Sequence, residues 1–267
     1  MTPQHSDPAA RRTASLPSGH GMPLLGFGTW QITGEGAGHA VGWALEAGYR
    51  HLDTATVYGN EREVGAALGA SGLPRADVFV TTKLPPNRAG AERRTLAESL
   101  ELLRTEYIDL WLIHWPPPRG VGVDLWKALI GARDEGLARE VGVSNYSLAQ
   151  IDELSAATDV TPSVNQIEWS PLLFDRAVLD GHRERGIVLE GYSALRGGTL
   201  EHPVIVAIAE RLGRTPAQVI IAWHLQHGVV VIPKSRARER IVANADIDGF
   251  ELSAADVSAL DALGVGR

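Results

Sequence analysis

VFVTTKL (78–84), AERRTLAESLELLRT (91–105) and IDLWLIH (108–114) follow one another along the chain and read as strand, helix and strand. The outer runs are apolar and rich in β-formers. In the middle run Leu96, Leu100 and Leu103 recur at spacings of three and four, the period of a helix with one buried face. The same alternation continues in both directions. Further β-type runs lie at LLGFGTW (24–30), HLDTA (51–55), REVGVSN (139–145), SVNQIEW (163–169), IVLEGYSAL (187–195) and VVVIPKS (229–235). Eight strands at fairly even intervals, separated by helical patterns, predict a parallel sheet covered by helices. Closure into a (β/α)8 TIM barrel fits that count better than an open sheet. Before the first strand, LPSGHGMP (16–23) has hairpin turn chemistry and is expected as an N-terminal β-hairpin cap on the barrel floor. After the eighth unit, SAADVSALDAL (253–263), opened by Ser253 as N-cap, is expected as one extra C-terminal helix.

Composition narrows the functional classes. A length of 267 residues suits one barrel, so a single domain over 16–267 is expected behind a flexible tail at 1–15. Hydrophobic residues make up 44%, and no apolar run approaches the roughly 18 residues that a membrane span needs. The net charge of −7 argues against a nucleic-acid or anionic-membrane binder, which needs a basic face. The absence of cysteine excludes disulfides, thiolate metal sites and cysteine nucleophiles. No metal site is expected. The first twenty residues lack an apolar signal core, so the cytoplasm is the expected location, and with no coiled-coil or repeat signal a monomer is expected.

In such barrels chemistry sits where the carboxyl ends of the strands converge. The second strand ends at Asp53 with Tyr58 just beyond it, the third at Lys83 and the fourth at His114. Singly, each has a plain structural reading: a turn cap, a half-buried aromatic, a snorkelling lysine, a hydrogen-bonded core histidine. On adjacent strands, and stiffened by Pro85-Pro86 and Pro116-Pro117-Pro118, they point to one mouth. Carbonyl reduction needs this set. The reduced oxygen must receive a proton, and a phenol is a poor acid at neutral pH unless a nearby ammonium favours its anion. Lys83 is expected to supply that charge, Asp53 to keep Lys83 charged, and neutral His114 to donate to the substrate oxygen.

GFGTW, HLDTATVYGNE, TTKL, LIHWP, GVSN, NQIEWSP, GYSAL and IPKSRARERIVAN, in that order from about residue 16 to the end, resemble the aldo-keto reductase superfamily, in particular its short-loop bacterial members of the diketogluconate reductase type. The resemblance implies an NADPH-dependent oxidoreductase with Tyr58 as proton donor and Asp53, Lys83 and His114 completing the tetrad. It further implies that Gly28 and Thr29 lie along the cofactor, that Ser144, Asn145 and Gln166 bind the nicotinamide carboxamide, and that Tyr192 stacks on its ring. Ser193 and Leu195 match positions near the pyrophosphate and ribose, Lys234, Ser235 and Arg240 match holders of the 2′-phosphate, and Asn244 matches a contact to adenine. Ser144-Asn145 also reads as an N-cap for the helix SLAQIDEL. The chain departs from the family pattern at Ala243, Ser170 and Ala194, where glutamate, histidine and proline are frequent.

No Rossmann fingerprint is present: GEGAGHA (34–40) lacks the third glycine at the required step. No tyrosine is followed four residues later by lysine, as a short-chain dehydrogenase requires. KSRARER (234–240) instead gathers Lys234, Arg236, Arg238 and Arg240 at the start of a helix in an acidic protein. That is a solvated face or a phosphate site, and the helix start favours the 2′-phosphate of NADPH. Of seven tryptophans, Trp43, Trp111, Trp126 and Trp223 read as core, while Trp30 and Trp115 are expected to wall a substrate pocket at the mouth. Short loops there predict an open pocket and broad acceptance of small carbonyl compounds. Two rival readings remain, a Schiff-base aldolase acting through Lys83 or Lys234 and a barrel that senses NADPH without much turnover.

Overall fold

The computed structural model describes residues 12–264. Its centre is a sheet of eight parallel strands: β3 (Phe27–Gly28), β4 (His51–Asp53), β5 (Phe79–Leu84), β6 (Ile108–Ile113), β7 (Ala138–Ser144), β8 (Val164–Glu168), β9 (Val188–Tyr192) and β10 (Val230–Val231). Neighbours pair in chain order. Each falls inside one of the eight sequence runs, except that β7 starts one residue earlier than REVGVSN (139–145). β5 and β6 are buried at every position, as strands covered on both faces must be, with Thr81, Thr82, Lys83 and Asp109 as their polar exceptions.

Short first and last strands close the cylinder. Leu25 bridges Val231, Val231 N donates to Leu24 O at 2.8 Å, and Gly26 N donates to Val231 O at 2.9 Å. Gly28 N then reaches Pro233 O at 3.1 Å. The seam demands glycine. A Cβ on Gly28 would lie 2.8 Å from the Ile232 carbonyl oxygen, and one on Gly26 would lie 2.5 Å from His51 Nδ1.

Helices α1 (Glu35–Glu46), α2 (Glu61–Ala70), α3 (Glu92–Leu103), α4 (Val123–Asp134), α5 (Leu148–Thr158) and α6 (Arg176–Glu184) each follow one strand. The spacing read in α3 is the packed one, with Leu96 and Leu103 buried and Leu100 partly so. Between β9 and β10 the chain makes two helices, α7 (Pro203–Leu212) and α8 (Pro216–Gln226), so α7 is an addition that the strand count did not reveal. Gly213, left-handed at φ 62°, ends α7, and a Thr215–Gln218 capping box opens α8. After β10 come α9 (Arg238–Ala245) and the expected extra helix α10 (Ala254–Asp261), capped by Ser253.

A hairpin of β1 (Thr13–Ser15) and β2 (Gly21–Pro23) precedes the barrel. Its turn is tied to the amino-terminal part of β7 by Ser18 N donating to Glu140 Oε1 at 2.8 Å, and Leu16 and Met22 are buried in the core. The tail expected over 1–15 is thereby corrected. Residues 1–11 lie outside the described residues, but Thr13–Ser15 is strand, because β2 gives it a ladder to complete. Among the described residues no helix is long and apolar enough to cross a membrane.

Candidate active site

Asp53 ends β4 and Lys83 is the penultimate residue of β5, so both side chains enter the barrel at its carboxyl mouth. Lys83 Nζ donates to Asp53 Oδ1 and Oδ2, each at 2.7 Å, and to the Thr54 carbonyl at 2.8 Å. Lys83 is fully buried and Asp53 is 2% exposed. Burial alone pulls the ammonium down. Asp53, then the phenol of Tyr58 and the carboxyl of Glu190, outweigh it and hold Lys83 above its usual value, so it stays charged.

Tyr58 ends a short 3-10 turn, Thr56–Tyr58, directly after β4. The chain around it is anchored by polar residues of the same motif. Thr56 Oγ1 donates to Lys83 O at 2.8 Å, and Thr54 Oγ1 donates to Asn60 Oδ1 at 2.7 Å. Asn60 Nδ2 donates to the carbonyls of Thr29 and Ile32 at 2.9 Å. Glu61, opening α2, accepts from Thr82 at 2.6 Å and Ser99 at 3.2 Å. The loop therefore presents the phenol rigidly. Lys83 Nζ lies 5.2 Å from the Tyr58 ring centroid, and the His114 ring meets Tyr58 edge-on at 5.7 Å.

One electrostatic expectation is corrected. Lys83 lowers the Tyr58 pKa by its charge and, to a smaller extent, by a hydrogen bond, but burial raises it more and Asp53 and Glu190 add to the rise. The net direction is upward. A phenol so placed keeps its proton at neutral pH, which suits a donor. His114, pushed down to about 3 by burial and by Lys83, is neutral as expected.

The expected cofactor residues line the same end. Asn145 and Ser193 have left-handed backbone, φ 65° and 56°, as does Gln31 at φ 61°. Among the described residues the other two non-glycine residues with positive φ, Arg104 and Asp159, are helix C-caps. Asn145, Ser193 and Gln31 are not helix C-caps and lie at the mouth. Asn145 Nδ2 donates to His114 O at 3.1 Å and to Ser144 Oγ at 3.0 Å, and its Oδ1 accepts from the Tyr192 hydroxyl at 2.7 Å. Tyr192, a group pushed up to about 12 mainly by burial, is thus a fixed neutral ring. Gln166 Nε2 donates to Asp53 Oδ2 at 2.8 Å, so it also orients the carboxylate. Ser144 Oγ donates to Gln166 O at 2.9 Å. The N-cap reading of Ser144-Asn145 is corrected: the cap of α5 is Ser147, in a capping box with Gln150. Gly28 serves the barrel seam, and Thr29 is fully buried with its hydroxyl donating to Asp53 O at 3.0 Å. Leu195, partly buried, packs against the core.

Lys234, Ser235 and Arg240 gather at the start of α9, with Asn244 buried further along it. Ser235 Oγ accepts from Ala237 N at 3.1 Å. The Lys234 ammonium is pulled down first by burial and then by Arg236, Arg196 and Arg240, a crowd of cations that an anion would relieve. The basic run divides in space. Arg238 pairs with Glu46 of α1 at 3.1 Å, and Arg236 donates to the Gln31 carbonyl. The residues at this helix start therefore fit a phosphate monoester. Arg196, absent from the sequence reading, stacks its guanidinium 5.1 Å from the Trp30 ring centroid. Trp30 and Trp115 are 40% and 50% exposed, while Trp111, Trp126 and Trp223 are buried and Trp43 packs partly buried on the core.

The aldo/keto reductase family model matches residues 24–265. An aldo-keto reductase of Mycolicibacterium smegmatis is 44% identical over 257 residues, covering 95% of this chain and 94% of that protein. Among solved structures, an aldo/keto reductase from Brucella melitensis superposes with TM-score 0.91 at 42% identity, covering 94% of this chain and 98% of the other. A Bombyx mori aldo-keto reductase in complex with NADP superposes with TM-score 0.88 at 32% identity, covering 96% and 94%.

Proposed function

The chain belongs to the aldo/keto reductase family, and from that premise we propose that it is an NADPH-dependent oxidoreductase reducing aldehydes and ketones to alcohols. The observation that carries the reading is the convergence of Asp53, Tyr58, Lys83 and His114 on one mouth of the barrel, with a charged lysine 5.2 Å from the ring centroid of a protonated tyrosine. When bound, NADPH supplies the hydride for the carbonyl carbon. The chain's residues manage the oxygen. Neutral His114 donates a hydrogen bond to it and sets its angle; Tyr58 passes its phenolic proton to the developing alkoxide. As the phenol loses that proton, Lys83 stabilises the phenolate, and Asp53 with Gln166 holds the ammonium in place. Lys234, Ser235 and Arg240 would hold the 2′-phosphate, and Tyr192, fixed by Asn145, would flank the nicotinamide.

The same geometry disfavours a Schiff-base lysine, because an ammonium bound at 2.7 Å by both oxygens of a carboxylate is not a nucleophile. Trp30 and Trp115 wall the mouth for small carbonyl substrates, on which the protein is read as acting alone, as a monomer in the cytoplasm. The test is oxidation of NADPH in the presence of 4-nitrobenzaldehyde, followed at the nicotinamide absorbance, with NADH in parallel. Turnover with preference for NADPH is expected. Tight NADPH binding without turnover of any aldehyde, ketoester, sugar or steroid in a panel would overturn the reading in favour of a cofactor sensor.

A further inference from the structure

Beneath the tetrad the barrel holds a second carboxyl, and the catalytic reading assigns it no role. Glu190 on β9 is fully buried, and neither of its oxygens has a hydrogen-bond partner. Its ladder neighbours are Gln166 on β8 and the apolar Val230 on β10. The Gln166 amide, whose well-formed bond goes to Asp53 at 2.8 Å, also leans toward Glu190 and favours its anion, but less than burial and Asp53 oppose it. From β4, His51 Nε2 stands 3.7 Å from Glu190 Oε1 and 3.0 Å from Thr81 Oγ1. His51 is pushed down to about 3 by burial and by Lys83, so this contact is no ion pair. The charged and titratable groups that bear on Glu190 are therefore Asp53 and His51 from β4, Lys83 from β5 and Tyr58 from the following loop.

Two carboxyls, Asp53 and Glu190, act on both the Lys83 ammonium and the Tyr58 phenol. Asp53 takes the ammonium with two bonds of 2.7 Å, and Glu190 takes none. A second buried anion, favoured only weakly by Gln166 and by the ammonium that Asp53 already holds, is too costly, so a proton must fill the deficit. We propose that Glu190 is a positioning residue of the reductase site: a buried carboxyl that carries a proton beside the Asp53–Lys83 pair and, by giving it up, extends the alkaline range over which Tyr58 remains protonated. The proposal rests on the carbonyl-reductase reading. Burial, then Asp53, lift the Glu190 carboxyl to about 8, still below the range in which the raised phenol ionises, so Glu190 is already an anion when Tyr58 titrates. Its negative charge then raises both Lys83 and Tyr58.

The test compares wild type with Glu190→Gln, in NADPH-dependent reduction and in the reverse oxidation of the alcohol, across pH 6 to 11. Reduction requires the phenol and oxidation the phenolate. Loss of the extra anion should move the alkaline fall of the first and the alkaline rise of the second together to lower pH. A purely structural role lowers both rates at every pH and moves neither limb; that result, or superimposable profiles, overturns the proposal. A readout independent of turnover comes from stability. A carboxyl raised from 4.5 to about 8 in the folded state costs stability as pH rises through that window, so the wild-type melting temperature should fall there relative to the variant. Parallel melting curves from pH 5 to 8 would contradict the proposal even if no substrate were ever found. Should the variant not fold, infrared titration of Glu61→Gln must still show a protonated carboxyl that ionises near pH 8, since Glu61 is the other buried glutamate raised by burial. Absence of that band refutes the assignment.

Discussion

Asp53→Asn removes the counter-charge of a lysine that has no contact with water. In the wild type Nζ makes bonds of 2.7 Å to both Asp53 oxygens, with side-chain exposures of 0% for Lys83 and 3% for Asp53. Taking one partner from a buried pair leaves an uncompensated charge and costs about 3–5 kcal/mol. The asparagine amide must also face the Gln166 donor that the carboxylate accepted at 2.8 Å. For a chain of this size such a loss lowers the melting temperature by roughly 6–20 °C. The pH dependence gives the sharper test. In the wild type Lys83 is raised above its unfolded value of 10.5, so its stabilisation is present below 10.5 and disappears only as pH climbs through the raised value. In the variant burial is opposed only by the smaller effects of Tyr58 and Glu190 and lowers the lysine, so the penalty is present at low pH and is relieved as pH approaches 10.5. Melting followed by circular dichroism should show a gap that is wide at pH 7 and narrows by pH 10. A gap below about 1 kcal/mol at pH 7, or one that does not change with pH, would refute the assignment of Asp53 as the holder of a buried ammonium.

Arg240→Ala should weaken NADPH binding by roughly 10- to 150-fold and leave NADH nearly untouched, as loss of a charge-assisted bond to a phosphate requires. Quenching of tryptophan fluorescence by each cofactor reads this directly, and equal losses for both would place Arg240 elsewhere. His114 titrates at about 3, so reduction should show no ionisation near pH 6.5. His114→Phe should lower kcat by about 10²–10³-fold, as removal of a donor to a developing oxyanion does. A wild-type acid limb near 6.5 that vanishes in this variant would mean that the histidine works as imidazolium.

What the sequence makes legible is whatever lies at a fixed offset along the chain. Asp53, Lys83 and His114 mark the ends of neighbouring strands, and strand ends are visible as places where apolar runs stop; their meeting at one mouth follows from the barrel alone. The extra helix α10 was legible because Ser253 and Asp256 sit three residues apart in a capping box. Partners distant in sequence were not. Arg238 reads as one of four equivalent cations until Glu46, 192 residues away, claims it. Gln166 reads as a cofactor ligand, and only the closed cylinder brings its amide to Asp53 across 113 residues. The direction of the Tyr58 shift was misjudged because proximity to Lys83 can be inferred from order along the barrel, whereas the depth of burial that outweighs it cannot. Glu190 was overlooked for a related reason. A single glutamate inside an apolar strand is unremarkable in sequence and becomes informative only when no partner for its oxygens is found. Helix α7 and Ser147 carried ordinary signals, a Gly-Arg-Thr-Pro break and a Ser-x-x-Gln box, which the broader strand-and-helix alternation concealed.

The account stands on Tyr58 as the source of the proton that the reduced oxygen receives. Single-turnover reduction of 4-nitrobenzaldehyde by the NADPH-loaded protein, wild type against Tyr58→Phe, measures this with product release removed. The expected result is a fall of about 10²–10⁴-fold in the rate of the chemical step, with NADPH affinity unchanged. A phenylalanine variant that keeps more than roughly a tenth of the wild-type rate would show that the proton comes from another group.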